Sequence, residues 1–345
     1  MKRFADGGSD TANVPVMAQQ PETDPLRRFI PTPYTAAIPV MGRMVRLKTN
    51  SQDVLRHMVQ LFSVYSRSDN DCRDFTWKVV SEADVAMHPP WPERHAFSDE
   101  DLRFAEFGQR TFIAVDVEGR EAIAFIANGL LADRVGFTSP FLDSLFCMTA
   151  SSLGLTSLRA NCVALGRKAL LIFGDPKSGK TTASYLATKL GLEFQGDDGA
   201  FIEFELGRLQ AWGGFWPPVF RPDALQFHTE LQGHTQPLHY CESIFHHLSG
   251  SKPEVACRKP VIPIGCVFLE RRKSASAQLS QVDPIELHAL LSENVLFKED
   301  DRFREQYSRA LADLSKLPAY RFAHPSTPAL VADVFKEMLQ RDCLV

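Results

Sequence analysis

The sequence predicts an α/β fold, and three observations support this prediction. Apolar strand segments alternate with helix-compatible segments after residue 160, which is typical of a sheet covered by helices. One of these strands leads directly into a glycine-rich loop of the form G-x-x-x-x-G-K-[ST], and a helix-compatible segment follows that loop. The chain has 345 residues, which is about the length of two average domains.

Composition and charge argue against several classes of protein. Lys and Arg total 38 against 42 Asp and Glu, for a net charge of −4, so the broad basic surface that duplex nucleic acid requires is not expected. The seven cysteines are widely spaced and form no CxxC pair, unlike a disulfide framework. No apolar run approaches the roughly 20 residues of a membrane helix, and the N-terminus lacks the apolar core of a signal peptide. We therefore expect a cytoplasmic protein without a nucleic-acid or membrane partner.

Composition divides the chain into three segments. Residues 1–25 are rich in Gly, Ser, Gln, Pro and Thr and contain little apolar surface to bury, so we expect a disordered lead-in. Residues 26–135 are predicted to form a smaller α+β region. Residues 136–345 are predicted to form the larger α/β domain that carries the glycine-rich loop.

The N-terminal region contains one clear amphipathic helix. Ser51 is placed to cap it, and the helix is predicted to run to Phe62 with an apolar stripe at helical spacing. The stripe comprises Val54, Leu55, Met58, Val59 and Phe62. Before it, Ile38–Leu47 is predicted to be strand material around Gly42.

The remaining elements follow from the same signals. Short apolar runs bounded by glycine or charge predict strands at Phe112–Val117, Ala122–Ala127, Asn161–Leu165, Lys168–Phe173, Phe201–Phe204 and Val261–Glu270. Helices are predicted over Phe141–Leu153 and Thr182–Leu190, and from Asp283-Pro284 and Thr327-Pro328 onward. The stretch 70–110 shows no clear pattern apart from a proline-rich loop, and 208–250 is predicted to be irregular because of its glycines and prolines.

The glycine-rich loop is the strongest motif of the sequence. Its two glycines allow backbone N–H groups to point inward as a nest for phosphate oxygens, and the following helix adds the positive end of its dipole. Lys180 would place a mobile charge on the β- and γ-phosphates, and Thr181 would offer its hydroxyl to Mg²⁺. The alternative is a glycine-rich turn with solvated lysines. The predicted phosphate site comprises Gly174, Asp175, Pro176, Lys177, Ser178, Gly179, Lys180, Thr181 and Thr182.

Two adjacent aspartates, Asp197 and Asp198, follow the loop helix at the end of a predicted strand. Neighbouring carboxylates repel each other, so their pairing needs a reason. A turn between strands is the structural explanation, since Asp and Gly favour turns. The functional interpretation makes Asp197 a ligand of Mg²⁺ and Asp198 a general base that accepts a hydroxyl proton, and the two roles could be exchanged.

These segments together resemble the HPr kinase/phosphorylase family, and more closely its single-chain HPr-kinase-related proteins. The resemblance rests on residues 161–174 (NCVALGRKALLIFG), the loop with its helix, and residues 191–198 (GLEFQGDD), and it extends weakly over about 155–340. In that family a phosphate-loop helix is followed by a short strand ending in a double Asp. The resemblance implies a P-loop kinase core of the HPr kinase and phosphoenolpyruvate carboxykinase-like type, preceded by the smaller α+β region.

The same resemblance implies an enzyme that uses ATP and Mg²⁺ to move a γ-phosphoryl group to a hydroxyl, with Ser on a peptide or protein as the first candidate acceptor. Lys180 and Asp198 would then be catalytic, and Thr181 and Asp197 would hold Mg²⁺. Two alternatives stay open, a small-molecule kinase on the same core and a nucleotide-binding regulator without phosphoryl transfer. The state of assembly also stays open, with a homo-oligomer as one possibility.

Two departures from the family pattern bear on the substrate. The family usually has a His just before the strand that leads to the loop, and the matching place here falls near Arg159. The glycine-rich segment tied to the family's phosphorylase activity is not visible, and residues 213–218 (GGFWPP) occupy that region. These departures argue against HPr as the acceptor and against reverse dephosphorylation.

Two further features allow more than one interpretation. Half of the ten histidines lie within a 20-residue stretch that also contains Cys241, namely His228, His234, His239, His246 and His247. Zinc takes such ligands, but the spacing matches no standard pattern, and a substrate lid would have the same composition. Arg221 suits a phosphate or substrate contact because its guanidinium is always charged and forked. The plainer alternative is a surface arginine.

Overall fold

The predicted α/β class is confirmed, because the chain is a mixed α/β protein with several sheets. The computed structural model describes residues 30–65, 75–82, 88–99, 101–108, 110–205, 207–240, 243–248, 259–272, 276–298, 300–325 and 327–341. The predicted lead-in at 1–25 lies outside the described residues.

A seven-stranded sheet is built from the N-terminal part of the chain. Its strands are β1 (Tyr34–Val40), β2 (Arg43–Thr49), β3 (Phe75–Glu82), β4 (His95–Asp99), β5 (Leu102–Glu106), β6 (Phe112–Asp116) and β7 (Glu121–Ala127). Their order is β1-β2-β3-β7-β6-β5-β4, with β3 parallel to β2 and β7 and the other neighbours antiparallel. The strands predicted at Phe112–Val117 and Ala122–Ala127 are confirmed as β6 and β7, which pair as an antiparallel hairpin. The strands around Gly42 are β1 and β2.

Helix α1 (Gln52–Phe62) begins where the sequence predicts it. The Oγ of Ser51 accepts a hydrogen bond from the N–H of Val54 at 3.3 Å, which satisfies one of the unpaired donors of the first turn. Val54, Met58 and Phe62 are buried, whereas Val59 is 43% exposed. The stripe that packs on the sheet is therefore narrower than the periodicity predicts.

Short helical segments connect this sheet to the rest of the chain. They are α2 (Asn128–Ala132), α3 (Arg134–Gly136), a π-helical turn (Phe137–Leu142), α4 (Asp143–Thr149) and a 3₁₀ turn (Ser151–Leu153). Helix α4 covers only the middle of the helix predicted over 141–153. Pro140, which has no N–H to donate, lies in the π-helical turn just before it.

A six-stranded mixed sheet contains the strands around the glycine-rich loop. Its strands are β9 (Asn161–Leu165), β10 (Lys168–Phe173), β11 (Glu193–Gly196), β17 (Ile262–Arg271), β18 (Gln278–Gln281) and β19 (Ala319–His324). The order is β11-β9-β10-β17-β19-β18, and β17 runs parallel to both β10 and β19. The predicted strands on either side of Gly166 are confirmed as the antiparallel pair β9 and β10.

Two three-stranded antiparallel sheets, ordered β13-β12-β8 and β14-β16-β15, complete the described strands. Their strands are β8 (Thr156–Leu158), β12 (Ala200–Glu205), β13 (Arg208–Gly213), β14 (Val219–Phe220), β15 (Thr235–Tyr240) and β16 (Ser243–Leu248). The prediction that 208–250 is irregular is wrong, because the described residues of this stretch include four strands. Most of its glycines and prolines lie in the connections between them, and the strands themselves are short.

Helices cover both faces of the six-stranded sheet. They are α5 (Lys180–Lys189), α6 (Pro284–Glu293), α7 (Arg304–Leu314) and α8 (Pro328–Gln340). Apolar side chains of α5 and α8 pack with Leu170 and Ile172 of β10, and those of α6 and α7 pack in the core that contains Leu171 and Phe173. Alternate residues of β10 are thus buried on opposite faces, as expected for a central strand. None of the described helices is both long and apolar enough to cross a lipid bilayer.

The core of the seven-stranded sheet extends past residue 135. It contains Phe62 and Trp77 together with Phe146 and Phe215, and Thr32–Val345 forms one compact unit. The predicted division into 26–135 and 136–345 stays a prediction.

Candidate active site

The glycine-rich loop connects the buried end of β10 to the start of α5. Its first residue, Gly174, has a φ of 144°, and a Cβ built there would lie 2.6 Å from the carbonyl oxygen of Leu269 in β17. Glycine is needed here because the neighbouring parallel strand passes too close for a side chain. The loop therefore begins at the carboxyl edge of the β10–β17 pair, where ligands commonly bind in α/β sheets.

Lys180, the first residue of α5, folds back over the loop. Its Nζ donates to the carbonyl oxygen of Gly174 at 2.6 Å and lies 3.4 Å from that of Asp175. The Oδ1 of Asp198 is 3.8 Å from the same Nζ. The ammonium group thus lies between the loop backbone and the aspartate pair, which brings two separately predicted parts of the site together.

Asp197 is held in place next to Thr181. The hydroxyl of Thr181 donates to Asp197 Oδ1 at 2.7 Å, and the N–H of Val219 donates to Asp197 Oδ2 at 3.0 Å. The indole N–H of Trp216 donates to the backbone carbonyl of Asp197 at 2.7 Å. Asp197 is only 4% exposed. The two side chains predicted to hold Mg²⁺ therefore touch each other, and one of them is fixed by surrounding donors.

Asn161, at the start of β9, orders both aspartates. Its Nδ2 donates to Asp197 Oδ1 at 2.9 Å, and its Oδ1 accepts a hydrogen bond from the N–H of Asp198 at 2.9 Å. Asp198 has a φ of 49°, and its side chain is 57% exposed. This role of Asn161 was not predicted, although an amide in an otherwise apolar strand is a usable signal.

The donor set around Asp197 fits a divalent cation. Burial raises the pKa of Asp197 to about 6, and Asp198 adds to this rise, while hydrogen bonds from Val219, Thr181 and Asn161 oppose it. Burial penalises the charged form of a carboxyl group, so a cation beside Asp197 would stabilise its carboxylate. Mg²⁺ is usually bound by one or two carboxylates together with water and substrate phosphates, and a hydroxyl beside a carboxylate supplies two oxygens of the right kind.

Most of the residues predicted to bind phosphate and metal line one cavity of about 430 Å³. It is lined by the loop and helix start from Asp175 to Thr182 and by Asp197 and Asp198. Gly174 is not among the lining residues, but its carbonyl oxygen accepts a hydrogen bond from the Nζ of Lys180. The cavity wall also includes residues outside the predicted phosphate and metal site, among them Arg159, Val219, Phe220, Arg221, Phe245, Arg271 and His324.

Trp216 packs against the turn that contains Asp197 and Asp198. A Cβ on Gly199 would lie 2.3 Å from the ring of Trp216, and one on Gly214 would lie 2.6 Å from it. Glycine at these places lets the indole approach the turn closely enough to donate to Asp197. Residues 213–218 thus act, in part, as a support for the aspartate pair.

A further acidic group lies near Asp198. Asp143, the first residue of α4, accepts a hydrogen bond from the thiol of Cys147 at 3.2 Å. Burial raises the pKa of Asp143 to about 6; the Cys147 hydrogen bond and the charge of Arg94 oppose this rise, and Asp198 adds to it. Asp143 was not predicted as a site residue, because it stands in an apolar stretch whose pattern indicates only a helix.

Among the described residues, no group of three or more His, Cys, Asp or Glu side chains is placed to hold a metal ion. Cys241 lies outside these residues, as does the side chain of His247. His228 is fully buried, with its ring 5.1 Å from that of Tyr185 and 5.0 Å from that of Phe220. It therefore packs as an aromatic side chain against the loop helix.

His228 is expected to make the fold sensitive to acid. Burial lowers the pKa of His228 to about 4, with Lys189 lowering it further and Glu230 opposing. The unfolded chain therefore binds a proton near pH 6.5 that the folded chain takes up only near pH 4. Stability should fall as the pH drops through this window, by up to about 3 kcal/mol from this residue.

Urea unfolding of His228→Phe at pH 7 and pH 4.5 measures this effect. The variant should lose less stability between the two pH values than the wild-type protein. His288→Phe, on the exposed surface of α6, is the matched control and should retain the wild-type pH dependence. Equal acid sensitivity in wild type and His228→Phe would show that His228 is not the group responsible.

Comparisons with known proteins give a weak structural likeness. No protein-family model matches the sequence. No curated protein matches it either. Among solved structures, the chain is similar to the structure of the Hpr(Ser) kinase/phosphatase from Coxiella burnetii, with 11% sequence identity, coverage of 52% of this chain and 88% of that chain, and a TM-score of 0.28. A likeness this weak carries no argument about function.

Proposed function

We propose that this protein is an ATP-dependent kinase that transfers the γ-phosphoryl group to a hydroxyl. The observation that carries the proposal is the hydrogen bond of 2.7 Å between Thr181 and Asp197. It brings the hydroxyl that ends the glycine-rich loop into contact with the buried carboxylate of a separate strand end. A solvated turn would not require this contact, whereas a shared Mg²⁺ site does.

The loop supplies the phosphate contacts in this proposal. Its backbone N–H groups and the first turn of α5 would surround the β- and γ-phosphates. Lys180 is already at the mouth of the loop, and its Nζ would exchange the carbonyl oxygen of Gly174 for phosphate oxygens. Thr181 and Asp197 would hold Mg²⁺, which neutralises phosphate charge when bound.

Asp198 is the proposed general base. Its backbone is fixed by Asn161, while its carboxylate is 57% exposed and borders the cavity. The acceptor oxygen would form a bond to the γ-phosphorus as the bond to the bridging oxygen of ADP breaks, and the hydroxyl proton would go to Asp198. The burial of Asp197 and the exposure of Asp198 favour this division of roles over the exchanged one.

The class of acceptor is part of the proposal. A serine hydroxyl on a peptide or protein is the first candidate, and a small-molecule alcohol is the second. The resemblance of the loop and aspartate segments to the HPr kinase/phosphorylase family supports the first. The exposed carboxylate of Asp198 supports phosphoryl transfer over nucleotide binding alone, since binding needs no base at the cavity wall.

Thr181→Val is expected to raise the Mg²⁺ concentration needed for half-maximal ATP binding by at least roughly 10- to 100-fold. It removes a proposed Mg²⁺ ligand and the hydrogen bond that orients Asp197, and loss of such an orienting bond alone typically has an effect in this range. Valine has nearly the shape of threonine but no oxygen for Mg²⁺ and no proton for Asp197. Titration of ATP binding against Mg²⁺ measures the shift. Thr181→Ser keeps the hydroxyl and should bind like the wild type. An unchanged Mg²⁺ requirement in folded Thr181→Val would contradict the proposed metal site.

A further inference from the structure

We propose that Arg159 and Arg221 form a binding site for an oxyanion, a phosphate or carboxylate group, that the hydroxyl acceptor carries. The inference rests on the proposed function, because it assigns a chemical class to the acceptor. Both arginines line the cavity that contains the glycine-rich loop and Asp198. Neither belongs to the predicted phosphate loop.

Arg159 is tied to the backbone segment that orders the aspartates. It precedes by two residues Asn161, whose side chain bonds to Asp197 and to the N–H of Asp198. The N–H of Arg159 donates to the carbonyl oxygen of Asn294 at 2.8 Å, which fixes its backbone. Its side chain is exposed and borders the cavity, next to the segment that holds the proposed base.

Arg221 lies next to a second segment that contacts the aspartate pair. It follows by two residues Val219, whose N–H donates to Asp197 Oδ2 at 3.0 Å. Val219 and Phe220 form the strand β14 and Arg221 continues it in an extended conformation, with φ −75° and ψ 155°, so the side chains of Val219 and Arg221 lie on the same side of the chain. The guanidinium carbon lies 5.6 Å from the centroid of the Phe245 ring, a cation–π contact that orients the group.

The charges of these two arginines are available to a ligand. Among the described residues, neither guanidinium forms an ion pair, in contrast to Arg43, which lies 2.5 Å from Glu203, and Arg103, which lies 2.6 Å from Asp300. A guanidinium presents its donors as a planar fork that matches the oxygens of a carboxylate or phosphate. Two guanidinium groups beside one cavity therefore favour an anionic ligand.

The position of the arginines assigns this anion to the acceptor and not to the nucleotide. The triphosphate would be bound by the loop backbone and by Lys180. Arg159 and Arg221 adjoin the segments that hold Asp197 and Asp198. The acceptor hydroxyl has to lie beside Asp198 for its proton to be taken, so a second charged group of the acceptor would lie near these arginines.

Calorimetric titration with inorganic phosphate tests the site. Phosphate is added to the full-length protein, first alone and then saturated with Mg²⁺ and the non-hydrolysable analogue AMP-PNP. The wild type should bind phosphate in both cases. Arg159→Gln and Arg221→Gln should each weaken the binding that remains in the presence of AMP-PNP by roughly 10- to 100-fold, the loss expected for one charge-assisted hydrogen-bonding group. Arg167→Gln, an exposed arginine in the turn between β9 and β10, is the control and should bind like the wild type.

The outcomes separate this inference from the proposed function. Phosphate binding that AMP-PNP abolishes, or that survives both arginine substitutions unchanged, would overturn the oxyanion site. Failure of AMP-PNP to bind would overturn the proposed function, and the oxyanion site would still stand if phosphate binding required both arginines. A parallel titration with acetate distinguishes the source of the anion. Phosphate binding at least about tenfold tighter than acetate points to a phosphate group on the acceptor, and comparable binding points to a carboxylate.

Discussion

Replacing Lys180 with alanine is expected to weaken the binding of Mg²⁺·ATP by roughly 10²- to 10³-fold, the effect of losing two or more charge-assisted hydrogen bonds to phosphate. The Nζ of Lys180 lies 2.6 Å from the Gly174 carbonyl oxygen and 3.8 Å from Asp198 Oδ1, at the centre of the proposed phosphate site. The free energy of unfolding should change by only about 1 kcal/mol, because the substitution removes mainly one hydrogen bond to the backbone.

Equilibrium binding of ATP with Mg²⁺, together with urea unfolding, measures both quantities. Lys316→Ala is the matched control, since it removes an exposed lysine that pairs with Asp313 outside the cavity. Wild-type ATP affinity in a folded Lys180→Ala protein would show that the glycine-rich loop does not bind the phosphates. The loop would then be a turn with solvated lysines.

Asp198→Asn is expected to reduce phosphoryl transfer by roughly 10²- to 10⁴-fold, as is typical when a general base is lost. Asparagine keeps the size of the side chain and tolerates the left-handed backbone conformation of this position, where φ is 49°. ATP affinity should change much less, because Asp198 is not a proposed ligand of the nucleotide. Single-turnover transfer from ATP, compared with ATP binding, measures the two effects separately.

The contrast with Asp197→Asn sharpens this prediction. Asp197 accepts hydrogen bonds from Thr181, Asn161 and Val219, and an amide is a poorer ligand than a carboxylate for a hard cation. This variant should therefore need more Mg²⁺ and should also be less stable. Transfer at the wild-type rate by Asp198→Asn would exclude Asp198 as the base. Unfolding of both variants would favour the interpretation of the pair as a structural turn.

The strands and helix around the loop could be predicted from the sequence because their signals are local. The apolar run 168–173 is a buried central strand, and the pattern of glycines with Lys180 and Thr181 requires a strand before it and a helix after it. The helix starts at Ser51 and Asp283 could also be predicted from the sequence. In the structure, each of these side chains accepts a hydrogen bond from an N–H in the first turn. These features depend on residues only a few positions apart.

The partners that complete the site could not be predicted, because they are distant in the chain. Asn161 contacts Asp197 across 36 positions, and Trp216 reaches its carbonyl from 19 positions away. The short strands of 208–250 pair across connections rich in glycine and proline, so no single window contains the alternation that reveals a strand. Pairings of this kind are set by tertiary packing, and local propensity carries little information about them.

The most direct test of the proposed kinase is transfer of label from γ-labelled ATP in a cell lysate, with wild type and Asp198→Asn compared at equal concentration. The proposal predicts Mg²⁺-dependent appearance of the label as a phosphate ester on a hydroxyl-bearing acceptor with the wild type. With Asp198→Asn, the rate should be lower by roughly 10²-fold or more. Label recovered only as inorganic phosphate, or equal labelling of the acceptor by both proteins, would contradict the proposal.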